Sequence, residues 1–371
     1  MKARNFIKKH LLPSISVSLF FVVAALVIDS IARGNSAFAA WINSVPGAAL
    51  RYIFASVTDV LPFSLAEVLL LLVPLALVIV IILAVKALRR PTLAAGLFSA
   101  LAVTASTLFL WYVISFGAGY KAPSLSTYLP IEDTEVTADN LYETLLILKT
   151  EAEKLLPEIE YSESGASVYE RDIEEVSAEI CIAYDRLISE YESLPIMRMY
   201  TDAKPVFLSK GMSDFEILGV YTFFTGESNV NVHYPDYTLP FTLAHEFAHQ
   251  RGISRENEAN FIAFLVCTRS DDPYVRYSGY VNMYEYIASS LSRTDRDMFR
   301  EVYLDTDKRI RGEIVAYNEF YQANKNELLA KLSDLVNDSY LKLQGTEGIV
   351  SYGLVTKLCI GYYASAEKQP G

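Results

Sequence analysis

Near the start of the chain, residues 11–28, 68–85 and 92–120 are predominantly apolar and free of charged side chains. A bilayer takes about 20 residues in helical form to cross, so each run predicts a transmembrane helix, at about 11–31, 66–88 and 92–118. Residues 40–64 are less apolar and are interrupted by Pro46, Gly47 and Pro62, which predicts an interfacial helix or re-entrant stretch with Trp41 near the headgroups. The alternative for that stretch is a fourth crossing. Residues 121–135 (KAPSLSTYLPIEDTE) are rich in Pro, Ser and Thr and read as a linker.

Beyond the linker the pattern becomes that of a soluble domain, 136–371. Apolar residues recur every three or four positions over 137–156 and 167–193, as amphipathic helices require, and again over 241–251, 255–269, 273–292, 295–304, 306–335 and 348–364. Only 204–237 reads as strand, in the runs PVFLS, ILGVYTFFTG and SNVNVHYP. In the last run Asn229, Asn231 and His233 alternate with valines and are expected to share one face. The fold class is therefore mainly α: an N-terminal three-helix transmembrane region (1–120) followed by an α+β domain with a small sheet before its central helix.

Charge sharpens this division. Residues 1–120 hold nine Lys/Arg and three Asp/Glu, a net of +6, which leaves −18 for 121–371 out of the overall −12. The mean hydropathy of +0.23 averages these two unlike halves. An acidic domain excludes nucleic acid as a partner, because phosphate binding needs clustered basic side chains. Lys2, Arg4, Lys8 and Lys9 precede the first span, and Lys86, Arg89 and Arg90 lie between the second and third. Basic residues stay cytoplasmic, so three crossings place the N-terminus in the cytoplasm and the acidic domain outside it, in a multi-pass cell-membrane protein. Ala37-Phe38-Ala39 imitates a signal-peptidase site, but the apolar run before it is long and two more spans follow, which favours an uncleaved anchor. Cys181, Cys267 and Cys359 show no metal-binding spacing, and Cys267 lies in an apolar run that reads as core.

Two of the four histidines stand in LAHEFAHQRG as His245-Glu246-x-x-His249. Four residues apart on a helix, both imidazoles face one way and can chelate one Zn²⁺, with Glu246 beside them as general base for a metal-activated water. Gly252 can end that helix in a left-handed cap, and Ser254 is a candidate N-cap for the next. Glu256 opens the next helix as candidate third ligand, with Glu258 as the alternative. Asn260, one turn on, can hydrogen-bond a ligand. Gln250, Arg251, Arg255 and Glu256 place the motif outside the hydrocarbon layer. His233, Tyr340 and Tyr352 are candidate donors to a developing oxyanion, and SNVNVHYP resembles the strand that precedes the active helix in zinc peptidases, a resemblance that implies pairing with an extended substrate.

HExxH followed by Glu256-x-x-Ala259-Asn260 resembles the gluzincin zinc metallopeptidases, in which the Glu opening that second stretch is the third ligand. A metzincin would carry His where Arg255 stands. The run from 219 to 268, with its preceding spans and the later IVSYGLV, resembles more closely an uncharacterised family of bacterial membrane proteins, a domain of unknown function with a zinc-peptidase-like site. The resemblance implies a zincin-like domain, a bound Zn²⁺, a peptide or protein substrate and a lipid bilayer as surroundings. The sequence thus leads to a membrane-anchored zinc metallopeptidase. The alternative is a non-catalytic zinc-binding sensor or peptide-binding membrane protein.

Overall fold

The long apolar stretches form helices, the fold in which a segment satisfies its backbone N–H and C=O groups within itself. The computed structural model describes residues 11–163, 165–343 and 352–366. The chain divides into two units, Met1–Ala122 with Thr222–Gly226, and Pro123–Tyr221 with Glu227–Gly371.

The first unit contains α1 (Leu12–Gly34), α2 (Ser36–Ile42), a π-helical stretch (Asn43–Gly47), α3 (Ala48–Asp59), α4 (Leu65–Ala87) and α5 (Pro91–Ser115). Helices α1, α4 and α5 are long and apolar enough to cross a membrane, as expected. Their starts are encoded locally: the Ser64 side chain accepts the Glu67 N–H ahead of α4, and Pro91 opens α5. Residues 40–64 are largely helical. Pro46 and Gly47 do not break the chain but sit in the π-helical turn that joins α2 to α3, a wide turn that accommodates a missing N–H. Arg51 is buried there, donating from Nη1 to Asn43 Oδ1 (3.0 Å) and the Ser115 carbonyl, and from Nη2 to the Asn43 carbonyl (2.8 Å). Trp41 stays exposed. Asp29 is paired with Arg33 and Lys121.

In the second unit the stretch expected to be a linker is packed, with Leu125 and Leu129 in the core. Helix α6 (Ala138–Leu155) is capped by Thr137 and buries Leu141, Leu145 and Leu148; α7 (Ile173–Glu190) buries Val176, Ile180, Ala183 and Leu187. Helix α7 starts later than its periodicity suggests because Ser167 is held outside it. Ser167 bridges Tyr161, and its N–H donates to Glu313 Oε1.

Next come β1 (Lys204–Pro205), α8 (Ser209–Asp214), β2 (Gly219–Thr222) and β3 (Glu227–Val230). The sheet order is β1-β3-β2, with β1 parallel to β3 and Lys204 opposite Asn229. All three strands are shorter than expected. Strand β3 ends at Val230, so Asn229 and Asn231 are buried while His233 lies beyond the strand and exposed, and the shared polar face does not form. Being central, β3 is paired on both sides, and the outer strands of the sheet are β1 and β2.

Helices α9 (Thr238–Arg251), α10 (Glu256–Cys267), α11 (Pro273–Thr294), α12 (Arg296–Asp305), α13 (Lys308–Asn324), α14 (Glu327–Leu343) and α15 (Tyr352–Ala366) complete the unit. The single helix expected over 306–335 is two, because the Asn326 side chain accepts the Leu328 and Leu329 N–H groups and so starts α14 anew. The three cysteines are free and buried.

One acid in this unit titrates with folding. Tyr237 donates a 2.6 Å hydrogen bond to Glu285 Oε1 on α11. Burial pushes the Glu285 carboxyl up to about 7 from 4.5; the Tyr237 bond opposes this and nearby Glu313 adds to it. The folded state therefore binds this proton more tightly than the unfolded chain. Its contribution is whole below pH 4.5 and is lost as pH rises through about 7. Glu285→Gln keeps an acceptor for Tyr237 and removes the titration. We expect the variant to be more stable than wild type at pH 8 by about 2 kcal/mol, with a flatter profile from pH 4.5 to 8 in denaturant titrations. A wild-type slope in the variant would count against this.

Candidate metal centre

Helix α9 is enclosed on nearly every side. Phe241, Leu243, Ala244, Phe247 and Ala248 are all buried, against α7, α10, α11 and β3. Two hydrogen bonds fix it from outside, from Tyr184 Oη to the Ala244 carbonyl (2.7 Å) and from Ser228 Oγ to the Glu246 carbonyl (3.1 Å). At its C-terminus Gly252 takes φ +112°, and its N–H closes on the His249 carbonyl. Arg251 is buried, its guanidinium 4.4 Å from the Tyr184 ring centroid and 4.6 Å from that of Phe247, and it donates to the Met199 carbonyl. The residues that mark the motif as aqueous thus include two, Gln250 and Arg251, that are solvated by protein rather than water.

The turn through Gly252 returns the chain so that Glu256 is the first residue of α10. Arg255, not Ser254, occupies the cap position. His245 Nε2 lies 3.1 Å from His249 Nε2, and Glu256 Oε2 lies 3.3 Å from the first and 3.5 Å from the second. These three residues form a group that could hold a metal ion. His249 Nδ1 donates to the Ile253 carbonyl at 2.7 Å, which turns Nε2 towards His245 and Glu256 and makes it the nitrogen that carries the lone pair in the neutral ring. His245 Nδ1 is buried with no hydrogen-bond partner among the described residues.

Charge in this cluster is balanced on a knife-edge of protons. Burial pushes the Glu256 carboxyl up, but the two imidazoles outweigh it and hold the group well below the usual carboxylate range. Burial likewise pushes His249 down, and the Glu256 and Glu246 carboxylates more than reverse this, raising it to about 9. Two carboxylates thus face two imidazoles and draw positive charge to the space between them.

Glu246 points to the sheet side. Its side chain is buried, one oxygen has no partner, and burial raises its pKa against the two imidazoles and a hydrogen bond donated by the Tyr221 backbone N–H. Strand β2 reaches it closely: a Cβ on Gly219 would lie 2.6 Å from Glu246 Oε1. Gly219 and the Ile253 carbonyl were not singled out from the sequence, although a glycine inside a strand-like run is a known sign of close approach.

Glu258 is excluded from the cluster by its own bonds. Its Oε1 accepts the Leu125 N–H (3.1 Å) and Arg255 Nη1 (3.0 Å), so it holds the start of the second unit instead. Glu256, and not Glu258, is thus the carboxylate that lies beside the two histidines. Asn260 is buried one turn on, with no hydrogen bond to the three. His233 is drawn away, with Nδ1 3.1 Å from Ser213 Oγ and its ring edge-on to Phe320. Tyr340 and Tyr352 belong to α14 and α15, and their side chains lie outside the described residues.

The match of this chain to a known family spans residues 48–360, which takes in the cluster, the sheet and two of the three apolar helices. The chain belongs to the family described as "Protein of unknown function (DUF3810)". No curated protein and no solved structure matches it. The family description carries no activity, so the chemistry of the centre rests on its geometry.

Metal analysis of the purified full chain tests that geometry. We expect one ion per chain, lost in His245→Ala and Glu256→Ala. Glu258→Gln is expected to keep the ion and lower stability by about 1–3 kcal/mol, the scale of a buried charge-assisted bond. Metal loss in Glu258→Gln with retention in Glu256→Ala would overturn the ligand set.

Proposed function

We propose that this protein is a membrane-anchored zinc metallopeptidase that hydrolyses peptide bonds with Glu246 as general base. The spacing of the three donor atoms carries the reading. Tetrahedral zinc with ligands at about 2.0–2.1 Å has edges of about 3.3 Å between them, and the observed separations are 3.1, 3.3 and 3.5 Å. Two imidazoles and one carboxylate are also the donor set of catalytic rather than closed structural zinc sites. His249 is buried while His245 and Glu256 keep one side open, as a fourth position requires.

Bound zinc supplies Lewis acidity, polarising the scissile carbonyl and favouring ionisation of water. Glu246 takes the proton of the attacking water and delivers it to the leaving amine, a task suited to a carboxyl whose pKa burial has raised. Strand β2, an outer strand of the sheet, lies beside Glu246, and its Tyr221 N–H is engaged by that carboxylate. Tyr340, Tyr352 and His233 remain the candidates for an oxyanion donor, with His233 the least suited because it is held by Ser213. The basic residues around the first two spans favour a cytoplasmic N-terminus and an extracytoplasmic catalytic domain.

Glu246→Gln separates this reading from a zinc-binding sensor. The variant is expected to keep its zinc and lose peptide hydrolysis by about 10²–10⁴-fold, the usual weight of a general base. Comparison of the peptides released by cells carrying wild type and variant provides the assay. Identical profiles with zinc still bound would favour the sensor.

A further inference from the structure

Helix α14 (Glu327–Leu343) carries its apolar side outward. Leu328 is 76% exposed, Leu332 51%, Leu335 64% and Val336 61%. Their spacing of three and four residues sets them on one side of the helix, the side that an amphipathic helix ordinarily turns to the core. Among the described side chains of α14 only Ala330 is buried. A contiguous stripe of large aliphatic side chains differs from the scattered exposed leucines of a monomer's surface and marks contact with another molecule.

The charges beside this stripe identify the partner. Glu327, Lys331, Asp338 and Lys342 are spaced by four, seven and four residues. At 3.6 residues per turn they form one row, within about 60° of arc, along a single border of the apolar stripe. Within the helix they are paired as neighbours, Lys331 Nζ 3.9 Å from Glu327 and Lys342 Nζ 2.7 Å from Asp338. The signs along the row run negative, positive, negative, positive, and so reverse about the midpoint between residues 334 and 335.

A second α14 laid antiparallel on the first, with a two-fold axis at that midpoint, brings like borders together. It sets Glu327 opposite Lys342 of the second copy and Lys331 opposite its Asp338, each contact occurring twice by symmetry. Every one of these contacts joins opposite charges. Asp334, beside the axis, lies further round the helix from the apolar stripe. A parallel pair would instead set the charged border against the other one, which carries Leu329 and Ser333. A lipid surface would use the apolar stripe but not the alternation of sign, since an interfacial helix gathers Lys and Arg on its polar side.

We propose that α14 is a self-association face, on which a second copy of this chain docks its own α14 antiparallel, with the four charges setting the register. A contact between two helices about 25 Å long is small beside a standard stable interface, which makes the association reversible and concentration-dependent. The inference is independent of the peptidase reading and of the metal ligands.

The test uses the full chain in detergent micelles, with association followed by sedimentation. We expect a reversible dimer whose dissociation constant rises about tenfold or more in Lys331→Glu and in Asp338→Lys, because each turns two attractive contacts into repulsive ones. The double variant should return to within about threefold of wild type. It lacks the neighbour pairs within each helix as well, so its recovery reports contact between copies. Leu332→Asp should be monomeric with unchanged circular dichroism. Leu335→Cys, next to the axis, should cross-link to its own copy, whereas Leu328→Cys should not, its two copies lying about 20 Å apart along the helices. The native cysteines are buried and do not compete. A monomeric wild type, or a dimer indifferent to Lys331→Glu and Leu332→Asp, would overturn the proposal, as would cross-linking of both introduced cysteines, which marks a parallel pair. A fluorophore on Leu332→Cys that enters an apolar environment only when phosphatidylcholine vesicles are added would assign the face to lipid and overturn it too.

Discussion

The arrangement turns on one requirement: three donor atoms from two helices must converge within about 3.5 Å inside a protein interior. Left alone, two imidazoles and a carboxylate in that space would each seek water or a proton. They hold position because α9 is packed all round and cannot rotate, and because the left-handed Gly252 sends the chain back at once to set Glu256 at the first turn of α10. Each further feature of the second unit follows as support. The Tyr184 and Ser228 bonds anchor α9 from opposite sides, Arg251 fills its C-terminal end, and Glu258 ties α10 to Leu125.

The same requirement accounts for the small sheet. In a mainly helical protein three strands of two to four residues contribute little core. Their value lies in what they bring to Glu246: a glycine that allows close approach and a backbone N–H that meets the carboxylate. A helix has no spare N–H groups along its side, whereas an edge strand exposes one at every second residue. The sheet is thus small because a single edge suffices.

Much of this was legible from periodicity and spacing. The three apolar spans, the amphipathic α6 and α7, and the HExxH helix with its glycine cap are all local signals, set by the pattern of neighbours within a few turns. The errors have equally definite causes. Pro46 and Gly47 interrupt the apolar pattern, and a π-helical turn absorbs them against the Ile114 carbonyl. Asn326 was overlooked as a cap within a long apolar pattern. The packed stretch from residue 123 looked like a linker because its composition is polar, while the bond that docks it comes from Glu258, over a hundred residues away.

By itself, the sequence determined the division into an apolar basic anchor and an acidic domain, and the two histidines on one helical face, because both depend only on chemistry and spacing along the chain. Tertiary structure alone brought Glu256 rather than Glu258 beside the two histidines, put β3 at the centre of the sheet, drew His233 to Ser213, and placed Gly219 against Glu246. Each of those outcomes depends on which distant backbone comes within hydrogen-bond or van der Waals reach. A one-dimensional pattern carries no such distances; two carboxylates two residues apart look alike until one of them is claimed by an amide from elsewhere in the chain.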